Sequence, residues 1–242
     1  MGKSDKLVGV MGGMGPDATV DFMSLVLAAT PASVDQDHVH MIVEQNPRIP
    51  CRQLALRGEG ESPGPAIASM AARLEAAGAD FLVMPCNTAH AWQAEIVAAI
   101  SIPFISIVDE SVAAAMSQCG EGDGIGLMAT PGCFSSGLYQ DAIRANNRSV
   151  VEQTPDELTA TMSLIALIKG GDKSAEVSNG LRVLAQSLLT RGAKVLIAAC
   201  TELPLVLDAS MFDVGFVSST NVLATRTVAL ARGEISLGSM KD

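Results

Sequence analysis

A chain of 242 residues is long enough to bury roughly 70 to 75% of the surface it exposes when unfolded, as one large domain or two small ones. With 48% hydrophobic, 17% charged and only 3% aromatic residues it reads as an ordinary globular protein whose core is aliphatic. A formal net charge of −10 argues against nucleic acid, which requires a basic face, and against an anionic membrane surface.

The first predicted strand is "LVGV" (7–10). Its apolar run is soon broken by glycines, so the two lysines before it do not make a secretory signal. The following "GMGPDA" (13–18) loosely satisfies the glycine pattern of a dinucleotide turn. Asp35 and Asp37, however, lie in a proline-containing loop and not at a strand end, where a ribose-binding acid belongs. "HMIVE" (40–44) is the second strand. His38 and His40 beside it lack a third nearby ligand, so no metal site is expected. Over 66–77, Ile67, Met70, Ala71 and Leu74 recur at helical spacing on one face. "FLVM" (81–84) and "FISIV" (104–108) read as strands, and 109–123 as a helix running into a Gly-rich turn. "GIGLM" (124–128), "VLIAA" (195–199) and "GFVS" (215–218) complete the strands, and a helical pattern over 221–232 is expected to pack back on the first half. No window reaches the 18 or so apolar residues of a membrane span.

Strands alternating with helices imply βαβ units, and their continuous apolar character is that of strands covered on both faces of a parallel sheet. The class is α/β. An internal repeat divides it: "RLEAAGADFLVMPCNTAH" and "SLLTRGAKVLIAACTELP" each run from a helix ending in Gly-Ala through an apolar strand to a cysteine and a threonine-containing turn. Gly78 precedes Cys86, and Gly192 precedes Cys200, by the same eight residues. Two similar parallel-sheet halves follow, 1–108 completed by 221–242, and 109–220, related by a pseudo-twofold axis with the site in the cleft between them.

Ligands of an open parallel sheet bind outside the carboxyl ends of its strands, where Cys86 and Cys200 are expected. A cleft between such halves presents one sulfur from each side. A thiolate on one face of a carbon and a thiol on the other can remove a proton and return another with inversion. The turns after the cysteines offer free N–H groups to a carboxylate and to a thiolate, with Asn87, Thr88 and Thr201 adding short polar side chains. His90 is expected to order the start of a helix. The remaining cysteines, Cys51, Cys119 and Cys133, make the total odd, with no C-x-x-C, so a reduced, cytoplasmic protein is expected.

"GGMGP", "NPRIPCR", "GADFLVMPCNTAH", "LMATPG" and "GAKVLIAACTELP" together resemble the aspartate/glutamate racemase family of cofactor-independent, two-cysteine amino-acid racemases, and most closely its aspartate racemase branch. The resemblance implies two flavodoxin-like domains, a homodimer, no cofactor and no metal. It implies that Cys86 and Cys200 are the acid/base pair, that Asn87, Thr88 and Ala89 form the turn for the substrate α-carboxylate, and that Arg52 and Lys169 bind substrate. Met14, Thr130 and Thr201 join the substrate-binding set through the same motifs. Cys51 replaces an aspartate before the arginine, and Cys133 stands where threonine is frequent, both placed by the resemblance near the side-chain pocket. Racemisation of an acidic amino acid, aspartate before glutamate, is the expected reaction. A decarboxylase or cis-trans isomerase of a small dicarboxylate, and a non-catalytic two-lobed small-molecule binder, are the alternatives.

Overall fold

The structure, a computed structural model, describes residues 6–237. Residues 1–5 and 238–242, the outer ends of the first expected half, lie outside the described residues. In chain order the elements are β1 (Val8–Gly12), α1 (Pro16–Ala29), β2 (Met41–Gln45), α2 (Arg52–Leu56), α3 (Gly64–Ala76), β3 (Phe81–Val83), α4 (Gln93–Ala99), β4 (Phe104–Ile105) and α5 (Ile107–Met116). They continue with β5 (Gly124–Ala129), α6 (Pro131–Ser135), α7 (Leu138–Ala145), β6 (Ser149–Glu152), α8 (Pro155–Lys169), α9 (Ala175–Thr190), β7 (Ala193–Ala199), β8 (Gly215–Ser218) and α10 (Ser219–Ala231).

The strands form two four-stranded sheets, ordered β2-β1-β3-β4 and β6-β5-β7-β8, and every pairing is parallel. The two orders are the same once β1–β4 are matched to β5–β8, so the sequence repeat is a repeat of whole sheets. Because alternate side chains leave a strand on opposite faces, each sheet feeds two cores. Val8, Val10, Phe81 and Val83 enter a central core shared with Ile125, Leu127, Val195 and Ile197. Met11, Leu82 and Met84 turn outward beneath α3, and Met128, Leu196 and Ala198 beneath α8 and α9. Helix α10 packs on α1 of the first half and on α5.

The repeat is also visible in packing. At Gly9 an added Cβ would meet Leu82, Ala79 and Leu74; at Gly126 it would meet their counterparts Leu196, Ala193 and Leu188. In both places a helix crosses the sheet so closely that only hydrogen fits. Gly78 and Gly192 end the preceding helices at φ values of +97° and +101°, a conformation that side chains resist.

Two sequence expectations change. The strand expected at 104–108 stops at Ile105, because the Ser106 hydroxyl accepts a hydrogen bond from the Asp109 N–H at 3.2 Å and caps α5, drawing Ile107 and Val108 into the helix. Strand β6 was not anticipated. As an edge strand with exposed polar ends, "SVVE" carries only two apolar residues and no run long enough to mark it.

Gly126→Ala is expected to cost about 1 to 3 kcal/mol, since its methyl would stand 3.0 Å from the Ala193 Cβ and 3.3 Å from the Leu188 Cβ. Thermal unfolding should register a fall of about 2 to 12 °C, and an unchanged melting temperature would show that the helix can withdraw.

Candidate active site

Cys200 directly follows β7, and Cys86 lies three residues after β3 in a tight turn closed by its own N–H to the Met84 carbonyl at 2.8 Å. Both are buried and both line one cavity of about 350 Å³ at the carboxyl ends of the two sheets. Met14, Arg52, Asn87, Thr88, Thr130, Lys169 and Thr201 line it too. Ala89 does not; it is fully buried in the outer core of the first half. A cavity of about 950 Å³ opens elsewhere, between α4 and α10, but neither Cys86 nor Cys200 lines it, so size is not what locates the site.

The Cys86 turn is held by neutral polar groups. The Ile107 N–H donates to His90 Nε2 at 3.1 Å, which leaves the ring proton on Nδ1 to donate to the Cys86 carbonyl at 2.8 Å. Burial lowers the His90 pKa to about 4, so the ring is uncharged at neutral pH. The histidine does order this segment, a short 3₁₀ turn over Thr88–Trp92 leading into α4. Asn87 was expected to serve substrate with its side chain, but that amide has structural partners. Its Oδ1 accepts from the Tyr139 hydroxyl at 2.5 Å and its Nδ2 donates to Ser219 Oγ at 3.0 Å, whose hydroxyl donates to the Ala198 carbonyl at 2.8 Å. One amide thus ties the first cysteine turn to α7, α10 and β7.

The Cys200 side is charged. Its thiol donates to Glu202 Oε2 at 3.0 Å, and the other carboxylate oxygen pairs with the Lys169 ammonium. Burial, and then the Glu202 carboxylate, push the Cys200 thiol well above its ordinary pKa, so it holds its proton at neutral pH. Burial works to lower the Lys169 pKa, but Glu202 outweighs it and the net shift is upward. Lys169 therefore enters the cavity as one member of an ion pair. Arg52 donates twice through Nη1, to the carbonyls of Ile49 at 3.2 Å and Pro50 at 3.0 Å, which anchors the guanidinium to its own loop at the cavity wall. Cys51 is exposed at this wall, whereas Cys133 is fully buried in the central core and is not among the residues that line this cavity. Burial, and then the neighbouring Cys86, push the Cys133 thiol up to about 12.

Glu202 and Gln53 were missed. Glu202 stands two residues after Cys200 in the repeated motif and could have been noticed as an acid beside a thiol. Gln53 gave no signal, since its value lies in partners about eighty residues away. Among the described residues no group of three or more His, Cys, Asp or Glu side chains is placed to hold a metal ion, and no helix is long and apolar enough to cross a membrane.

Residues 11–227 match the family model for Asp/Glu/hydantoin racemases. The chain belongs to that family. Membership makes it an enzyme of the isomerase class, a racemase. The chain is 29% identical over 227 residues to the broad specificity amino-acid racemase RacX of Bacillus subtilis, covering 92% of this chain and 97% of that one. An aspartate racemase from Picrophilus torridus superposes with a TM-score of 0.83 at 30% identity, covering 93% of this chain and 94% of that one. A glutamate racemase isoform from Bacillus anthracis shares the fold, with a TM-score of 0.69 at 21% identity over 96% of this chain and 83% of that one.

The depressed His90 pKa makes a pH prediction. The unfolded histidine, near 6.5, binds protons that the folded one refuses until about pH 4, so its contribution to stability is complete above about pH 6.5 and is lost as pH falls towards 4. That window is worth up to about 3 kcal/mol. The stability difference between the wild type and His90→Gln, measured by urea unfolding, should shrink by up to that amount between pH 7 and pH 4. A constant difference would mean that the ring is not the titrating group.

Proposed function

We propose that this racemase interconverts the L and D forms of an acidic amino acid, aspartate foremost, by proton transfer between Cys86 and Cys200 without a cofactor. The observation that carries the reading is that the two thiols, one from each sheet, line a single cavity that also holds Arg52. In the reaction the Cys86 thiolate takes the α-proton from one face of the substrate, and the electron pair left behind delocalises into the α-carboxyl group. The Cys200 S–H then delivers its proton to the opposite face. The product has the inverted centre, Cys86 carries the new proton and Cys200 is the thiolate, which is the state needed for the other enantiomer. The starting assignment follows from the surroundings: the Glu202 carboxylate holds the proton on Cys200, so Cys86 begins as the base.

The α-carboxylate is assigned to the free N–H groups at the start of the 3₁₀ turn after Cys86, with the Thr88 hydroxyl beside them. The side-chain carboxylate is assigned to Arg52, whose planar fork suits it. Lys169, neutralised by Glu202, serves the Cys200 pair more than the substrate, which revises the sequence-based role.

Four measurements test this. Incubation in D₂O with a panel of L-amino acids, followed by NMR, should show α-proton exchange first for aspartate. Cys86→Ala and Cys200→Ala should each abolish racemisation in both directions, and near wild-type turnover in either would end the two-base mechanism. Arg52→Ala should lower kcat/KM for aspartate roughly thirtyfold to several thousandfold while sparing alanine. Lys169→Ala should instead slow every substrate alike, because it leaves Glu202 as an uncompensated charge beside Cys200; a loss confined to aspartate would return Lys169 to the side-chain pocket.

A further inference from the structure

We infer that Gln53 is a positioning residue for substrate binding: it sets the direction of a hydroxyl chain so that Thr88 points its proton into the cavity. The inference rests on the reading above in placing a carboxylate beside Thr88. The backbone N–H of Gly132, which can only donate, reaches Gln53 Oε1 at 2.8 Å and so decides which end of the amide is oxygen. Gln53 Nε2 therefore faces Thr130 and donates to its Oγ1 at 2.9 Å. The Cys133 N–H donates to the same oxygen at 3.3 Å. Both lone pairs of Thr130 are then occupied, and its own proton has one course left, towards Thr88 Oγ1 at 2.9 Å. Thr88 is thereby an acceptor within the protein, and its remaining hydrogen is a donor aimed into the cavity it lines.

The arrangement crosses the cleft. Gln53 is on α2 of the first half, while Thr130 and Gly132 belong to the start of α6 in the second. It also requires glycine at 132, where an added Cβ would lie 2.8 Å from Gln53 Oε1 and 2.9 Å from the Leu56 side chain. A hydroxyl free to rotate could turn its lone pairs on an approaching carboxylate. Here the backbone N–H of Gly132 fixes the amide, the amide fixes Thr130, and Thr130 fixes Thr88 in the orientation an anion needs.

The test is a double-mutant cycle between residues 53 and 88, read by calorimetric titration with succinate and with L-aspartate on the full chain. In Gln53→Glu the carboxylate still accepts from Gly132 but presents a second acceptor to Thr130. The chain reverses, and Thr88 donates inward. Thr88→Val in the wild-type background should weaken binding roughly ten- to a hundredfold, as expected for a hydrogen bond to a charged group. In the Gln53→Glu background the same change should cost less than about threefold, since the donor is already turned away. The charge introduced at position 53 weakens both arms equally and cancels. Should Gln53→Glu fail to fold, the neutral Gln53→Met, which merely leaves Thr130 a vacant lone pair, should still shrink the Thr88→Val penalty at least about threefold. Equal penalties in all backgrounds would overturn the inference, as would failure of the wild type to bind either carboxylate. Binding without α-proton exchange in D₂O would leave it standing and overturn the racemase reading instead.

Discussion

A parallel sheet ends all its strands along one edge, and that constraint organises this molecule. A residue following a strand can reach a ligand only at that edge, so two cysteines carried by two sheets share a cavity only if the two edges face one another. The contact is maintained by buried polar atoms. Asn87 joins the Cys86 turn to Tyr139 and Ser219, and Ser219 is bonded in turn to the Ala198 carbonyl, two residues before Cys200. These groups are enclosed, so separating the halves would strand donors and acceptors without partners, a cost well above the value of any one bond. Burial keeps the Tyr139 phenol protonated and therefore a donor.

The two halves repeat one another, and side chains break the symmetry. The two halves match in strand order, in the glycines that let helices approach the sheets, and in the placement of the cysteines. Around Cys86 the structure sets an amide and an uncharged imidazole; around Cys200 it sets a carboxylate and an ammonium. Two thiols of the same intrinsic acidity are thereby placed in unlike fields, and burial together with the Glu202 carboxylate raises the pKa of Cys200. Glu202 compensates Lys169 and leaves Arg52 to set the local sign.

The short polar turns do much of the remaining work. After each cysteine the chain enters a 3₁₀ turn and not an α-helix, which keeps the N–H groups near the sulfur and the cavity. In the first half this turn is fixed from behind by His90 between the Cys86 carbonyl and the start of α5. Across the cleft, Gln53 and Thr130 fix the hydroxyl of the next residue but one, Thr88.

The sequence alone determined what depends on neighbours along the chain. Apolar runs marked the central strands, helical spacing at Ile67, Met70, Ala71 and Leu74 marked the buried face of α3, and the repeated Gly-to-Cys interval marked the two halves and their sulfurs. Edge strand β6 escaped because it buries too little to need such a run, and the end of β4 was misplaced because one serine cap outweighs a β-rich pattern. Only the tertiary structure decided that Asn87 is a structural bridge, that Lys169 is paired with Glu202, that Cys133 stands behind the cavity wall, and that Gln53 reaches Thr130. Those roles depend on hydrogen bonds and fields between residues 33 to 132 positions apart, apart from the enclosure of Cys133. A donor's partner, or a thiol's proton affinity, is a property of what surrounds it in space, and folding alone assembles those surroundings.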